Sequence, residues 1–251
     1  MPLTLTPLPG IPSVQPGDDL AALILEGVRL AGLQLETNDI LVLAQKIVSK
    51  AEDRRVHLAT VAPSPEAQAL AAQTEKDPRL VELILRESNE VLRYRPGLII
   101  VEHKLGFVCA NAGIDHSNVA GGEEWVLLLP ENPDESARQL RYRLEAATQT
   151  RLGVLIIDSH GRAWRNGTVG MTIGISGLPG LVDLRGQPDL FGRALRVTQI
   201  GAADELAAAA SLAMGQAAEG TPVVHARGFP YPLREGSLVE LLREKSMDLF
   251  R

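Results

Sequence analysis

The feature that most constrains the fold is a set of short apolar segments, each of which ends abruptly at polar residues. Residues 152–157 form the most apolar of these segments, and the polar sequence DSHGR follows at 158–162. Residues 39–44 form another, and the polar sequence QKIVSK follows directly. Short apolar runs with such boundaries are typical of buried β-strands. Functional side chains are often placed at the ends of such strands.

Helices and hairpins both separate these strands. The periodicity of apolar residues predicts helices at 20–31, 64–73, 78–92, 132–150, 202–215 and 238–249, the first of them capped by Asp18 or Asp19. Residues 98–102 and 106–110 are predicted to form a β-hairpin. Because strands and helices alternate irregularly, we predict an α+β (mixed α/β) architecture rather than a doubly wound parallel sheet.

Length and linker content bear on the number of domains. A chain of 251 residues can form one large domain or two small ones. No long linker interrupts it, and the widest soft region is the glycine-rich stretch 167–192. We therefore expect a single domain over residues 1–251, within which two subdomains can be interleaved.

Composition excludes several classes of function. The chain has 25 Lys and Arg against 31 Asp and Glu, and this net charge of −6 argues against a dedicated nucleic-acid-binding protein. Cys109 is the one cysteine, which excludes an intramolecular disulfide and a cysteine-rich zinc site. The N-terminus does not resemble a signal peptide, and the uncharged stretch 166–182 contains too many glycines to be predicted as a membrane span. We expect a cytoplasmic protein without nucleic-acid or membrane partners.

Two aspartates are candidate metal ligands. Asp115 and Asp158 each follow a strongly apolar segment, and Ser117, Asn118 and Ser159 lie beside them as further oxygen donors. Carboxylates grouped with such donors can hold a hard divalent cation, with magnesium as the first candidate. Alternatively, both aspartates merely cap turns.

Other polar motifs could contact phosphate. Lys46 and Lys50 could meet phosphate oxygens, or they could form a solvated basic patch. The sequence MGQAAEGT at 214–221 could bring its backbone close to a ligand, with Gln216 and Glu219 offering oxygens, or it could be an ordinary helix-capping loop. The chain has no P-loop motif and no convincing dinucleotide fingerprint, so a nucleotide would need a less common scaffold.

Several separate motifs together resemble one family. They are LPGI at 8–11, PGDDL at 16–20, QKIVSKAE at 45–52, GFVCANAGID at 106–115, DSHGRAWRN at 158–166, DLFGR at 189–193 and MGQAAEGT at 214–221. This pattern is similar to that of the coenzyme F420-0:L-glutamate ligase (F420 γ-glutamyl ligase) family. The resemblance covers nearly the whole chain.

The resemblance implies an F420 ligase-like fold with interleaved subdomains and mixed and antiparallel sheets. It implies a GTP-dependent enzyme that adds L-glutamate to the lactyl carboxylate of F420-0 and then extends a γ-linked tail. It also implies magnesium or manganese, a monovalent potassium ion, and a homodimer. Some relatives carry a fused nitroreductase-like domain, which we do not expect here.

The family's site residues transfer by motif. Those matching its metal ligands are Asp115, Asp158, Ser159 and Gln216. Those matching its GTP contacts are Leu8, Pro9, Gly10, Ile11, Gln45, Lys46, Lys50, Asn118, Met214, Gly215, Gln216, Ala217, Ala218, Glu219, Gly220 and Thr221. Among them, Lys50 is the expected catalytic residue, because its charge would face the phosphates.

The chain departs from the family pattern at a few positions. Ser159 stands where threonine is frequent, His160 where Phe or Met is common, and the pair Ala217 and Ala218 where Gly and Asp often occur. Two alternatives remain open. One is a related amide ligase with another carboxylate acceptor, and the other is a non-catalytic GTP-binding regulator.

Overall fold

A computed structural model describes residues 2–116 and 122–250 of the chain. Its α-helices are α1 Leu20–Leu30, α2 Gln45–Ala51, α3 Pro65–Thr74, α4 Pro78–Arg86, α5 Pro133–Thr148 and α6 Ala202–Met214. Its strands are β1 Thr4–Pro7, β2 Ile40–Ala44, β3 Arg55–His57, β4 Ser88–Arg95, β5 Leu98–His103, β6 Val108–Ala110, β7 Trp125–Leu127, β8 Gly153–Arg162, β9 Arg165–Ser176, β10 Val182–Asp183, β11 Gln199–Ile200 and β12 Val223–Arg227. Short 3-10 turns lie at Leu58–Thr60, Asn111–Gly113, Leu238–Leu241 and Lys245–Met247.

A five-stranded mixed sheet forms the centre of the structure. Its strand order is β1-β12-β2-β8-β9, with β2 and β8 parallel and the other neighbours antiparallel. Three smaller sheets, β4-β5-β6, β3-β7 and β10-β11, are antiparallel. The predicted α+β class is therefore confirmed.

Both faces of the central sheet are covered. On β2, Leu41 and Leu43 belong to the core that includes residues of α1 and α5, whereas Ile40 and Val42 belong to the core on the α6 side. Successive side chains of a strand point to opposite faces, so a strand buried on both sides is apolar throughout. This explains why β2 and the first half of β8 have continuous apolar sequences.

A third core lies outside the central sheet. Helix α4 contributes Val81 and Ile84 to it, and β5 contributes Ile99 and Val101. Phe107, in the turn between β5 and β6, packs against this cluster and against the core on the α1 and α5 side. This third core and the core on the α1 and α5 side therefore meet at Phe107. The division of the chain into interleaved subdomains stays a prediction.

Three sequence expectations need correction. Strand β8 does not end before Asp158, because antiparallel pairing with β9 carries it on to Arg162. Helix α4 ends at Arg86 rather than near residue 92, because the chain from Ser88 pairs with β5 as strand β4. The segment 238–249 forms two 3-10 turns instead of an amphipathic helix.

The register of the sheet brings four distant segments to one edge, by which we mean the end of the sheet where β1 and β2 finish. Ala44 pairs with Ile157 in the parallel β2-β8 ladder, Leu43 pairs with Val223, and Pro7 pairs with Val224. The residues that follow β1 and β2 therefore lie beside those that precede β12 and those in the middle of β8. Ligand sites commonly form at such an edge, beyond the carboxyl ends of parallel strands.

The opposite edge is held by a buried charge cluster. Asp39 is 1% exposed, and Arg227 donates to it from Nε and Nη2 at 2.8 and 2.7 Å. His225 Nε2 lies 2.8 Å from Asp39 Oδ2. Burial raises the pKa of Asp39, but the hydrogen bonds from Arg227 and the closeness of His225 outweigh burial and hold the pKa well below its usual range. The cluster connects the start of β2 to the end of β12.

We predict that Asp39→Asn lowers the free energy of unfolding by about 2 kcal/mol at neutral pH, because the buried charge that accepts two hydrogen bonds from Arg227 is lost, while Arg227 keeps its ion pair with Glu36. Chemical denaturation measures this loss. Since the pKa of Asp39 is lowered on folding, its contribution is complete above the unfolded pKa and disappears as the pH falls through the folded one.

The control is Asp183→Asn, which removes the partner of Arg185 in an exposed ion pair. Exposed pairs contribute little, so this variant should unfold like the wild type. Equal stability of all three proteins would contradict a stabilising role for the Asp39 cluster.

Candidate functional site

A cleft of about 330 Å³ opens at the sheet edge where the four segments meet. Most of the residues predicted to contact a ligand line it. They are Ile11, Gln45, Lys46, Lys50, Asp158, Ser159, Met214, Gly215, Gln216, Ala217, Glu219, Gly220 and Thr221. The lining also includes residues that the sequence analysis did not select, among them Ser13, Ser211 and Pro222.

Helix α2 holds Asp115 through a buried amide. Gln45 Nε2 donates to Asp115 Oδ2 at 2.9 Å, and Ser49 Oγ donates to Gln45 Oε1 at 2.8 Å. Gln45 and Ser49 are both fully buried, at 1% and 0% exposure. The two hydrogen bonds fix the orientation of the amide, because its oxygen accepts from Ser49 and its nitrogen donates to Asp115. Asp115 is thereby joined to residues that line the cleft.

The environment of Asp115 is unfavourable for its negative charge. The pKa of Asp115 is raised to about 6, first by burial and also by the charge of Asp158, against the attraction of Lys46. Lys46 Nζ lies 3.5 Å from Asp115 Oδ2, too far for a tight ion pair. A buried carboxylate with a second carboxylate near it favours an additional cation at this position.

The neighbouring positive charges are also crowded. Burial lowers the pKa of Lys50, and the charges of Lys46 and Arg55 lower it further, while Asp115 partly compensates. Lys46 and Lys50 both line the cleft. An anion bound between them would relieve this repulsion, which supports the interpretation of these lysines as phosphate contacts rather than as a solvated basic patch.

Strand β8 presents polar groups on both of its faces. Asp158 Oδ2 lies 3.1 Å from His160 Nε2, two residues further along the strand. Between them, Ser159 Oγ donates to Gln216 Oε1 at 2.9 Å, and Gln216 Nε2 donates to Ser211 Oγ of α6 at 2.8 Å. Because alternate residues of a strand point in opposite directions, one strand contacts two different layers of the cleft.

The loop at 214–221 folds closely upon itself. Thr221 Oγ1 donates to the Met214 carbonyl at 3.1 Å, and the backbone N–H of Ala217 donates to Glu219 Oε2 at 2.8 Å. Gly215 has φ +75°, and a Cβ atom there would lie 2.2 Å from Glu219 Cδ. The backbone angle therefore favours glycine at 215, and a larger residue would also displace the Glu219 side chain.

Some predicted site residues lie elsewhere. Leu8 is fully buried in the core, and it does not line the cleft; nor do Pro9, Gly10 and Ala218. Asn118, a predicted GTP contact, and Ser117 fall outside the described residues. Asp115 does not line the cleft itself but contacts Gln45 and Lys46, which do. Contact of Leu8, Pro9, Gly10, Ala218 and Asn118 with a nucleotide stays a prediction.

Sequence reasoning missed three supporting residues. Ser49 lies between the two predicted lysines and would have been found by considering the buried face of a helix through 45–51. Ser211 belongs to an alanine-rich helix, and nothing in the sequence relates it to Gln216. His160 enters the sequence analysis only as a departure from the family pattern, and its contact with the Asp158 carboxylate depends on the continuation of β8.

The donor set is suitable for a hard divalent cation. Asp115 and Asp158 offer carboxylate oxygens, Ser159 offers a hydroxyl and Gln216 an amide oxygen, all of which magnesium and manganese accept. Within residues 2–116 and 122–250, no group of three or more His, Cys, Asp and Glu side chains is arranged to hold a metal ion. A cation here would therefore depend on neutral oxygen donors besides the two carboxylates.

No helix in the described part of the chain is long and apolar enough to cross a membrane.

Comparison with known proteins gives the class to which this fold and cleft belong. A family model described as F420-0:Gamma-glutamyl ligase matches residues 10–228. A coenzyme F420:L-glutamate ligase from Methanothermobacter thermautotrophicus is 47% identical over 253 residues, covering 100% of both chains. A protein with the same name from Methanopyrus kandleri is 47% identical, covering 99% of this chain and 98% of its own. Another from Archaeoglobus fulgidus is 43% identical, covering 100% of this chain and 97% of its own.

The class is thus that of an amino-acid ligase, with an α+β fold and a charged cleft at one sheet edge. The chain belongs to the F420-0:gamma-glutamyl ligase family.

The unfavourable environment of Asp115 leads to a stability prediction. We expect Asp115→Asn, without added ligand, to raise the free energy of unfolding by about 2 kcal/mol at neutral pH, because it removes a buried charge whose pKa folding raises. In the wild type this penalty develops as the pH rises from about 4, the unfolded pKa, to about 6, the folded one. The advantage of the variant should therefore disappear toward pH 4.

Denaturant unfolding at several pH values tests this, with Asp18→Asn, an exposed carboxylate on the loop before α1, as the control. Destabilisation by Asp115→Asn at neutral pH would show that the contacts with Gln45 and Lys46 outweigh the cost of burial.

Proposed function

We propose that this protein catalyses the GTP-dependent addition of L-glutamate to coenzyme F420-0 and extends the tail through γ-linkages. Family membership and the names of the relatives support the acceptor and the amino acid. One structural observation carries the proposal. Two carboxylates, Asp115 and Asp158, lie close enough to interact electrostatically, at a cleft that Lys46 and Lys50 line. Such a cleft suits a phosphate chain with its counter-ion.

The proposed reaction has two steps. A carboxylate oxygen of F420-0 attacks the γ-phosphorus of GTP, the bond between that phosphorus and the β,γ-bridging oxygen breaks, and GDP leaves with the electron pair. The product of this step is an acyl phosphate. The amine of L-glutamate then attacks the carbonyl carbon, the C–O bond to phosphate breaks, and inorganic phosphate leaves as the amide forms and the nitrogen releases a proton.

The chain's own residues contribute mainly by position and charge. Lys50, the proposed catalytic residue, and Lys46 place fixed positive charge where negative charge accumulates on the transferred phosphoryl group. The loop at 214–221 also lines the cleft and would contact the rest of the nucleotide. Holding the acceptor carboxylate in line with the phosphorus avoids the entropic cost of a random encounter.

We propose that Asp115 and Asp158 hold magnesium or manganese, and that Ser159 and Gln216 offer metal-binding oxygens on the other face of β8. When bound, the ion would supply positive charge to the phosphate oxygens. Potassium, a homodimeric assembly and a cytoplasmic location are also part of the proposal, and they rest on the family resemblance alone.

The defining experiment measures phosphate release from GTP with magnesium or manganese and L-glutamate, in the presence and absence of F420-0, with product masses determined in parallel. Release that requires F420-0, with a mass increase of one or more glutamyl units, is expected. Turnover with a different carboxylate acceptor only would favour the related amide ligase. Binding of GTP without release for any acceptor would favour the regulator, for which the Ala217 and Ala218 pair is the motivating feature.

We predict that Asp158→Ala and Asp115→Ala each reduce metal-dependent turnover at least about 100-fold, because each removes an anionic ligand from the site. Steady-state phosphate release measures the loss. Near-wild-type activity in both variants would overturn the metal assignment, even if the ligase activity itself were established.

We predict that Lys50→Met lowers kcat by about 100-fold, because fixed positive charge at the transferred phosphoryl group is lost. Lys76→Met is the matched control, since burial also lowers the pKa of Lys76 but this residue does not line the cleft. The same activity loss in both variants would show that a general structural defect, and not the missing charge, is responsible.

A further inference from the structure

His160 is a buried polar residue directly beside the proposed metal site. Its side chain is 6% exposed, and that of Asp158 is 14% exposed. His160 Nε2 lies 3.1 Å from Asp158 Oδ2. An ionised carboxylate can only accept hydrogen bonds, so the Nε2–H group of His160 is the donor.

This contact arises from the extension of β8 beyond its parallel neighbour. Pairing of β8 with β2 ends at Ile157, and from Asp158 onward the strand pairs only with β9. Asp158 and His160 are two residues apart, so both side chains lie on the same face of the strand. The backbone thus places the imidazole where it can reach the carboxylate.

Aromatic packing fixes the imidazole ring. The ring of Phe107 lies 5.2 Å from that of His160, tilted by 41°, and stacks on His103 at 5.2 Å with an interplanar angle of 4°. His103 is held in turn, because the backbone N–H of Leu105 donates to its Nδ1 at 3.0 Å. These contacts restrict the rotation of His160 and therefore the direction in which Nε2 donates.

The χ2 angle of an aspartate side chain has a broad range of favourable values, so its carboxylate can take many orientations. Among the described residues, the contact with His160 is the one hydrogen bond found for the Asp158 carboxylate. This contact therefore selects one orientation of the carboxylate. Since His160 engages Oδ2, Oδ1 would be the oxygen that meets a ligand in the cleft that Asp158 lines.

We propose that His160 is a positioning residue, which holds the carboxylate of Asp158 in the orientation that binds magnesium or manganese. This inference rests on the proposed function, since it assumes that Asp158 is a metal ligand. Hydrogen bonds to metal-binding side chains commonly change metal affinity by 10–100-fold. His160 would act through Asp158, without contact with the substrate.

Two substitutions separate the hydrogen bond from the packing. His160→Phe keeps an aromatic ring against Phe107 but removes the donor, whereas His160→Gln places an amide N–H near the position of Nε2. The full-length protein, without GTP or F420-0, is titrated with Mn²⁺, and free Mn²⁺ is followed by electron paramagnetic resonance. Asp158→Ala shows the effect of losing the ligand, and His57→Phe, a histidine that packs on Trp125 away from the cleft, is the control.

We expect His160→Phe to weaken Mn²⁺ binding by about 10–100-fold, and His160→Gln to stay within about threefold of the wild type. In turnover assays, His160→Phe should raise the metal concentration needed for half-maximal rate and change kcat at saturating metal much less. Thermal melting in the presence of a chelator checks that the variants are folded. If His160→Phe does not fold, His160→Leu carries the same expectation.

The outcomes are distinguishable. Wild-type affinity in His160→Phe, with lost affinity in Asp158→Ala, would overturn the positioning role and leave the metal site intact. Equal weakening in the Phe and Gln variants would also overturn it, because the donor would then not be the cause. If the wild type does not bind Mn²⁺, or Asp158→Ala binds it normally, both the metal assignment and the role of His160 are wrong.

Discussion

The parallel pairing of β2 with β8 is the constraint on which the rest of the site depends. It aligns Ala44 with Ile157, so that helix α2 begins beside the point where β8 becomes polar. Antiparallel pairing of β12 with β2 and of β1 with β12 then brings two further loops to the same edge. A shift of one residue in this register would turn the apolar side chains of β2 toward the wrong faces, because faces alternate along a strand. The register is therefore fixed by the two cores.

The two edges of the central sheet differ in how they treat buried charge. At one edge, Asp39 is fully paired with Arg227 and approached by His225, so its ionised form is stabilised. At the other, burial and Asp158 oppose the ionisation of Asp115, and Lys46 and Lys50 repel each other. Incomplete charge compensation is typical of binding sites, where a ligand supplies the missing charge. The charges at one edge therefore stabilise the sheet. Those at the other edge are unfavourable until a ligand binds in the cleft.

Much of the fold could be predicted because its signals are local. Asp19 caps α1 as a capping residue should, since its side chain accepts from the backbone N–H of Ala22, and the apolar runs at 39–44 and 152–157 are strands. Prediction failed where pairing with another strand determines the secondary structure. Asp158 looked like the end of a strand because polar residues begin there, yet β9 pairs with β8 as far as Arg162. Residues 88–92 fit a helical pattern, but pairing with β5 makes them a strand.

By itself, the sequence determined the family, the residue types available for chemistry and the faces that must be buried, because motifs, charge and apolar periodicity are properties of the chain. Only the tertiary structure decided which of these residues meet. It placed Ser211 against Gln216 and His160 against Asp158, and it buried Leu8 in the core instead of in the cleft lining. Such contacts join residues from separate elements or depend on where a strand ends, and these features are set by sheet register and packing, for which a linear sequence has no local signal.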